Sequence, residues 1–283
     1  MIVSMLNILS DAYKNKYAIP QFNINNLEWT KYILEKCEEM KSPVILGVSE
    51  GATKYMGGFN VVVNMVKGLV KDLNITIPVC IHLDHGSSVE VCKKALEAGF
   101  SSIMIDASKY EIDKNIEITN EVVIMAEKYN ASVEAEIGHV GGSEDNVSAE
   151  ILHASLEDCI KMNNEIKITA LAPALGSVHG IYKGEPNLNF ERMKEISERT
   201  KLPLVLHGGT GIYDEQIKKA IECGTCKINV NTELQISWSQ GVRKYLNENK
   251  KAYDPRKIIG SGEKEIKKSI EQKVLLFGSN DRA

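Results

Sequence analysis

The sequence predicts an α/β fold, a (β/α)8 barrel finished by an extra C-terminal helix, with residues 1–283 forming one domain. Three observations lead there. A short β-branched apolar run followed by an amphipathic stretch recurs eight times along the chain. The runs are apolar throughout rather than alternating, as parallel strands covered on both faces are. No Pro/Gly/Ser-rich linker divides the chain, and its 283 residues are close to the roughly 250 that one such barrel needs. Two dinucleotide-binding halves would need G-x-G-x-x-G after an early strand, and none is present.

The units follow one another in order. Ala18–Phe22 leads into Leu27–Met40, Val44–Val48 into Phe59–Leu73, Val79–Leu83 into Val89–Ala98, and Ser102–Asp106 into Ile112–Tyr129. Ser132–Ile137 leads through a loop into Ser155–Met162, and Ile168–Leu171 through a long loop into Asn189–Thr200. Leu204–Leu206 precedes Asp214–Cys223, Lys227–Val230 precedes Glu233–Leu246, and Glu263–Phe277 is the added helix. Pro43, Pro78 and Pro203 stand just before strands, where a missing N–H does least harm. Gly99 and Gly224 stand where a helix ends in a left-handed residue.

Composition excludes several functions. Lys and Arg number 34 against 38 Asp and Glu, a net charge of -4, so no basic nucleic-acid surface is expected. A hydrophobic content of 43% at that charge argues against disorder. Met1–Ser10 has no basic region and no sustained apolar run, so no signal peptide is read there. The central charge-free run, Ile168–Tyr182, contains Pro173 and His179 and is too short to span a bilayer. The expected setting is cytoplasmic, with no membrane or nucleic-acid partner. The six cysteines are expected to be reduced, and the lone C-x-x-C of Cys223 and Cys226 lacks the second pair of a structural zinc site.

In such a barrel the chemistry comes from the C-terminal ends of the strands. Strand three ends in His82-Leu83-Asp84-His85-Gly86, strand six is followed by Ser177-Val178-His179-Gly180, and strand seven runs into His207-Gly208. Four of the six histidines fall at these three places. Three imidazoles with one open position form a catalytic zinc set, and His85, His179 and His207, each followed by glycine, are the natural trio. His82 is either core or a supporting group, and a surface or loop role is expected of His139 and His153. Asp84, beside His85, is a candidate acid/base group, or else a partner that orients His85. Gly208, Gly209, Thr210 and Gly211 follow strand seven, and Asn229, Val230, Asn231 and Thr232 form the end of strand eight and its exit, where barrels of this kind hold phosphate. Lys183 can add a cation. The polar, glycine-rich segment Gly138–Ala149 carries Glu144 and Asp145, and is either a solvated acidic loop or a lid bringing a base to the site.

At these residues the sequence resembles the class II, zinc-dependent fructose-bisphosphate aldolase family, which also contains tagatose-bisphosphate aldolases. The likeness runs through HLDHG (82–86), VEAEIGHVGG (133–142), SVHGIYKG (177–184), LHGGTG (206–211), INVNTELQ (228–235) and DPRK (254–257), over essentially the whole chain. The resemblance implies zinc on His85, His179 and His207, and an alternative, buried metal position at Asp106 and Glu136. It makes Asp84 the acid/base at the aldehyde oxygen and Glu144 the loop carboxylate that moves the ketose proton. It places Asn23, Ser49, Gly180, Gly208–Gly211 and Asn229–Thr232 on the substrate, with Arg256 of DPRK a candidate for the second phosphate. The family commonly has serine where Thr210 stands, and two adjacent acids where Ser143 precedes Glu144.

The implied reaction is reversible cleavage of fructose 1,6-bisphosphate, in glycolysis and gluconeogenesis, to dihydroxyacetone phosphate and glyceraldehyde 3-phosphate. Zinc would act as the Lewis acid in place of a lysine Schiff base. Lys227, opening strand eight, is the single lysine that could rival it. A monovalent cation at the phosphate site stays open. Tagatose 1,6-bisphosphate is the alternative substrate, and a non-catalytic sugar-phosphate-binding barrel the remote one. A homo-oligomer, dimer or tetramer, is implied by the resemblance, with Glu263–Phe277 as a candidate interface element.

Overall fold

The computed structural model describes residues 1–144, 147–149, 153–180, 182 and 184–283, of which 142–144 and 147–149 by backbone alone. Its strands are β1 (Ile19–Asn23), β2 (Val44–Val48), β3 (Val79–Gly86), β4 (Ser102–Ile105), β5 (Ser132–Ile137), β6 (Gly141–Glu144), β7 (Val147–Ala149), β8 (Ala170–Pro173), β9 (Val178–His179), β10 (Leu204–Leu206) and β11 (Thr225–Val230). Eight of them close a barrel in the order β1-β2-β3-β4-β5-β8-β10-β11, and every neighbouring pair is parallel. Each predicted apolar run became one barrel strand, so the (β/α)8 architecture stands. The short strands β6, β7 and β9 make a separate sheet from the loops after β5 and β8.

Helices fill the crossovers: α1 (Met5–Asn15), α2 (Leu27–Glu39), α3 (Glu50–Tyr55), α4 (Phe59–Asp72), α5 (Val89–Ala98), α6 (Ile112–Glu127), α7 (Leu156–Glu165), α8 (Phe190–Thr200), α9 (Asp214–Glu222), α10 (Thr232–Glu248), α11 (Pro255–Gly260) and α12 (Glu263–Phe277). Their starts follow capping chemistry. Asn26, Ser49, Ser88, Ser155, Asn189 and Asp254 each accept a backbone N–H at the head of a helix. Gly99 and Gly224 take the left-handed backbone (φ +102 and +108) that their positions required.

Two elements do more than alternate. In α1, Met5, Ile8, Leu9 and Ala12 form an apolar stripe at helical spacing. It packs on Ile19, Ile45, Cys80, Ala170, Ala172, Val205 and Cys226, near the strands' N-terminal ends, and so plugs the base of the barrel. The Met5 N–H also donates to Ser132 Oγ at 2.9 Å. Met5, Ile8 and Leu9 of the N-terminal stretch therefore belong to a plug, while Met1 and Leu6 are exposed. At the other end of the chain, α12 buries Ile266, Ile270, Val274 and Phe277 against α2, α10 and β1. That face is committed to the barrel itself rather than to a neighbouring subunit. All six cysteines are free, five of them buried. Among the described residues no helix is long and apolar enough to cross a membrane.

Candidate active site

Strand alternation explains part of the site and fails at its centre. On β3, His82 and Asp84 share the inward face and Leu83 joins the core around the barrel. His85 would then point outward. Its backbone is instead left-handed (φ +51), and the β3–β4 register shifts between Leu83 and Gly86. A non-glycine residue in that conformation is strained, and such strain gathers at functional sites. The break brings two consecutive side chains, Asp84 and His85, to one place.

His179 reaches the same place from β9, and His207 from the residue after β10. The ring centroids lie 5.0 Å (His85–His179), 4.7 Å (His85–His207) and 5.7 Å (His179–His207) apart. His207 Nδ1 sits 2.9 Å from His85 Nε2. On the far side of His85, Nδ1 meets Asp106 Oδ2 at 3.1 Å, while Asp106 Oδ1 accepts from the Ser108 hydroxyl at 2.6 Å. Glu136 completes a second group: its Oε1 accepts from the Val140 N–H at 3.2 Å, and its Oε2 is buried with no hydrogen-bond partner. One ligand atom each from His85, His179 and His207 lie within 4.8 Å of one another, and the same holds for His85, Asp106 and Glu136.

The electrostatics fit a cation at this point. Burial pushes Glu136 up to about 8, and the nearby Asp106 carboxylate pushes the same way. Burial opposes a charge on His85, yet the Asp106 hydrogen bond and the Asp84 and Glu136 carboxyls raise it well above the usual imidazole range. His179 and His207 are lowered by burial and then by the charge on His85. Three converging imidazoles and two carboxyls, one of them with a buried oxygen that has no hydrogen-bond partner, form a donor set that fits a divalent cation. A bound dication would draw the proton from His85 and return Glu136 to the carboxylate form.

Asp84 is buried between two side-chain amides. Asn23 Nδ2 donates to its Oδ2 at 2.9 Å and Asn229 Nδ2 faces its Oδ1 at 3.4 Å. Burial would raise the carboxyl, but His85, Lys227 and His207 outweigh it and hold Asp84 well below the ordinary carboxylate range.

The loops after β10 and β11 interlock. The Gly209 N–H donates to Asn229 O at 3.0 Å. A side chain at Gly208 would strike the Val178 carbonyl oxygen, and a Cβ on Gly209 would lie 2.7 Å from Ile228 Cγ2. Thr210 Oγ1 accepts from the Glu233 N–H at 3.3 Å, which joins that loop to the start of α10, where Asn231 and Thr232 stand. Gly180 and Gly211 share a left-handed backbone (φ +86). Val230 ends β11, and Ser49, directly after β2, spends an oxygen lone pair capping α3.

Comparison with known proteins decides the family. The family model for class-II fructose-bisphosphate aldolase matches residues 3–282. The chain belongs to the class-II fructose-bisphosphate aldolase family. The family comprises carbon–carbon lyases that act on sugar phosphates and generally depend on zinc. A curated relative from Geobacillus stearothermophilus, named fructose-bisphosphate aldolase, is 57% identical over 100% of this chain and 99% of its own length. One of the same name from Staphylococcus aureus is 56% identical over the same shares. Among solved structures, the YdjI aldolase of Escherichia coli K12 superposes with a TM-score of 0.86 at 32% identity over 100% of both chains. A fructose-bisphosphate aldolase from Campylobacter jejuni, at 24% identity and a TM-score of 0.85 over 100% of this chain and 97% of its own, shares the fold.

Most of the positions singled out in the sequence come together. Lys183, Asp145 and the side chain of Glu144 lie outside the described residues. Arg256, on α11, is 89% exposed and pairs with Asp254, its Nη2 donating to Oδ2 at 2.9 Å. His139 is not idle: its Nδ1 meets the Ser108 hydroxyl at 2.8 Å, behind Asp106.

The structure also adds residues that the motifs did not single out. Glu134 Oε1 meets His207 Nε2 at 3.0 Å, and its Oε2 accepts from the Lys227 ammonium at 2.8 Å, with both residues fully buried. Lys227 is thereby the counter-ion of Glu134, not a free amine poised for a Schiff base. Tyr182 accepts from the Val178 N–H at 3.1 Å and donates to Gly208 O at 3.2 Å, clamping two loops of the site. Glu134 was visible in principle: Val133-Glu134-Ala135-Glu136 alternates, and both acids of a buried strand share one face. Carboxylates behind metal-binding imidazoles fix ring orientation and are typically worth 10–100-fold in metal affinity. Glu134→Gln is therefore expected to weaken zinc binding about 10–100-fold in chelator competition. Unchanged affinity would remove Glu134 from that role.

Proposed function

We propose that the chain is a zinc-dependent fructose-1,6-bisphosphate aldolase, with the metal held by His85, His179 and His207. The observation that carries this is the convergence of those three imidazoles beside the buried Asp84 carboxyl. Asp106 and Glu136, with His85, offer the alternative buried position. When bound, zinc supplies Lewis-acid polarisation of the substrate carbonyl.

The chain's own groups do the rest. One phosphate rests on the backbone and side chains of Gly208–Gly211 and Asn229–Thr232 at the N-terminus of α10, with Gly180 and Ser49 lining the approach. Asn23 and Asn229 aim Asp84 at the hydroxyl of the fourth carbon. In cleavage Asp84 takes that proton, the bond between the third and fourth carbons breaks, and glyceraldehyde 3-phosphate leaves as the aldehyde. Glu144 returns a proton to the third carbon, which completes dihydroxyacetone phosphate. Condensation runs the same transfers backwards, with Asp84 as acid and Glu144 as base. Lys183 and a monovalent cation add charge at the first phosphate. Arg256, exposed in one chain, serves the second phosphate of a neighbouring copy in a homo-oligomer. The setting is cytoplasmic, where fructose 1,6-bisphosphate is made and used.

Metal removal tests this directly. Chelator treatment is expected to abolish cleavage of fructose 1,6-bisphosphate, zinc to restore it, and borohydride with substrate to leave the enzyme active. Full cleavage by metal-free protein overturns the proposal. Running tagatose 1,6-bisphosphate in the same assay should give the slower rate, and the reverse order would reassign the substrate.

A further inference from the structure

One charged residue stands in the buried face of α12. That face consists of Ile266, Ser269, Ile270, Lys273, Val274 and Phe277, so Lys273 occupies a position where helical spacing calls for an apolar side chain. Its side chain is 9% exposed, and its ammonium lies 2.7 Å from Glu233 Oε2. The Glu233 side chain is 29% exposed, and an ion pair open to solvent on one side adds little to stability. Stability alone therefore does not account for a lysine here.

Position does. Glu233 is in the first turn of α10, directly after Asn229–Thr232, and its N–H is the one tied to Thr210. Both loops of the proposed phosphate cradle thus meet at this residue. The N-terminus of a helix attracts an anion, and it does not distinguish a phosphate from a carboxylate carried by the helix itself. Glu233 is a built-in competitor for the ligand. Lys273 reaches over from α12 and pairs with that carboxylate.

We propose that Lys273 is a positioning residue for phosphate binding, holding Glu233 off the N-terminus of α10 so that the cradle stays open to a phosphate monoester. This rests on the cradle assigned above to Gly208–Gly211 and Asn229–Thr232. It gives the C-terminal helix, an addition to the barrel, a part in substrate affinity.

Inorganic phosphate is the probe, its Kd read by calorimetry and by competitive inhibition of the metal-loaded full chain. Lys273→Met should weaken phosphate about tenfold and raise KM similarly, with kcat within about threefold. The defect should shrink as ionic strength rises. Glu233→Gln should bind phosphate at least as tightly as wild type, and Lys273→Met/Glu233→Gln should return to within about threefold of it. A structural ion pair predicts otherwise: lower thermal stability in the single variants, with KM and kcat falling together or not at all. Unchanged phosphate affinity in Lys273→Met, or a double variant no better than it, overturns the proposal. Should Lys273→Met not fold, weaker phosphate binding by Glu233→Gln does the same. If wild type itself is not inhibited by phosphate, the cradle is wrong and the role of Lys273 goes with it; variants that fail to differ in an inhibited background count against Lys273 alone.

Discussion

His207→Ala is expected to lose zinc and aldol cleavage together. His207 is fixed on both ring nitrogens: its Nδ1 faces His85 Nε2 at 2.9 Å, and its Nε2 meets Glu134 Oε1 at 3.0 Å. Removing the ring leaves the three-histidine position with two imidazoles, too few for a tight zinc site there. A Lewis acid is worth several kcal/mol of transition-state charge stabilisation, and each 1.36 kcal/mol is tenfold, so the rate should fall by roughly 10³-fold or more. The fold should survive, because Glu134 keeps its second partner: the Lys227 ammonium remains 2.8 Å from Oε2, and no buried charge is stranded. Metal content by elemental analysis, cleavage rate and thermal unfolding are measured on one preparation. A variant that holds no zinc and still turns over normally would refute the ligand set, and one that unfolds would place His207 in the core instead.

The sequence disclosed the barrel because its signal is repeated: eight apolar runs, each too uniform to be a half-exposed strand, each followed by an amphipathic stretch. The candidate ligands were legible for a similar reason, since His85, His179 and His207 fall at strand ends and precede glycines. What stayed hidden depends on contacts between distant segments. Nothing local says that Glu134 on β5 will meet Lys227 on β11, because that pairing follows from closing the barrel. Alternation alone would turn His85 away from Asp84, and only the left-handed backbone and the register shift undo it. The plug formed by α1 was missed because Met5–Asn15 looks like an ordinary amphipathic stretch until the base of the barrel needs covering. Lys273 reads as one more helix-surface lysine until α12 is docked and its ammonium is found beside Glu233.

Asp84→Ala should separate proton transfer from metal binding. Asp84 is not needed to assemble the imidazoles: its hydrogen-bond partners are Asn23 and Asn229. General acid–base help is typically worth 10²–10⁴-fold, so turnover should fall at least about 10²-fold while zinc content stays at wild-type level. KM should change little, because the proposed phosphate contacts lie on other loops. The pH profile adds a second, independent outcome. His85, Lys227 and His207 hold the Asp84 carboxyl well below the ordinary range, so it remains ionised as the solution is acidified through weakly acid pH. The acid-side loss of wild-type activity then arises elsewhere, from protons competing with metal for the imidazoles, since a histidine must be neutral to bind. Removing Asp84 should lower the rate at every pH and leave the acid-side midpoint where it was. Near-normal turnover with zinc bound would strip Asp84 of its role. A midpoint that moves in the variant would mean instead that Asp84 itself titrates in the working range, and that the cations around it do not hold it ionised.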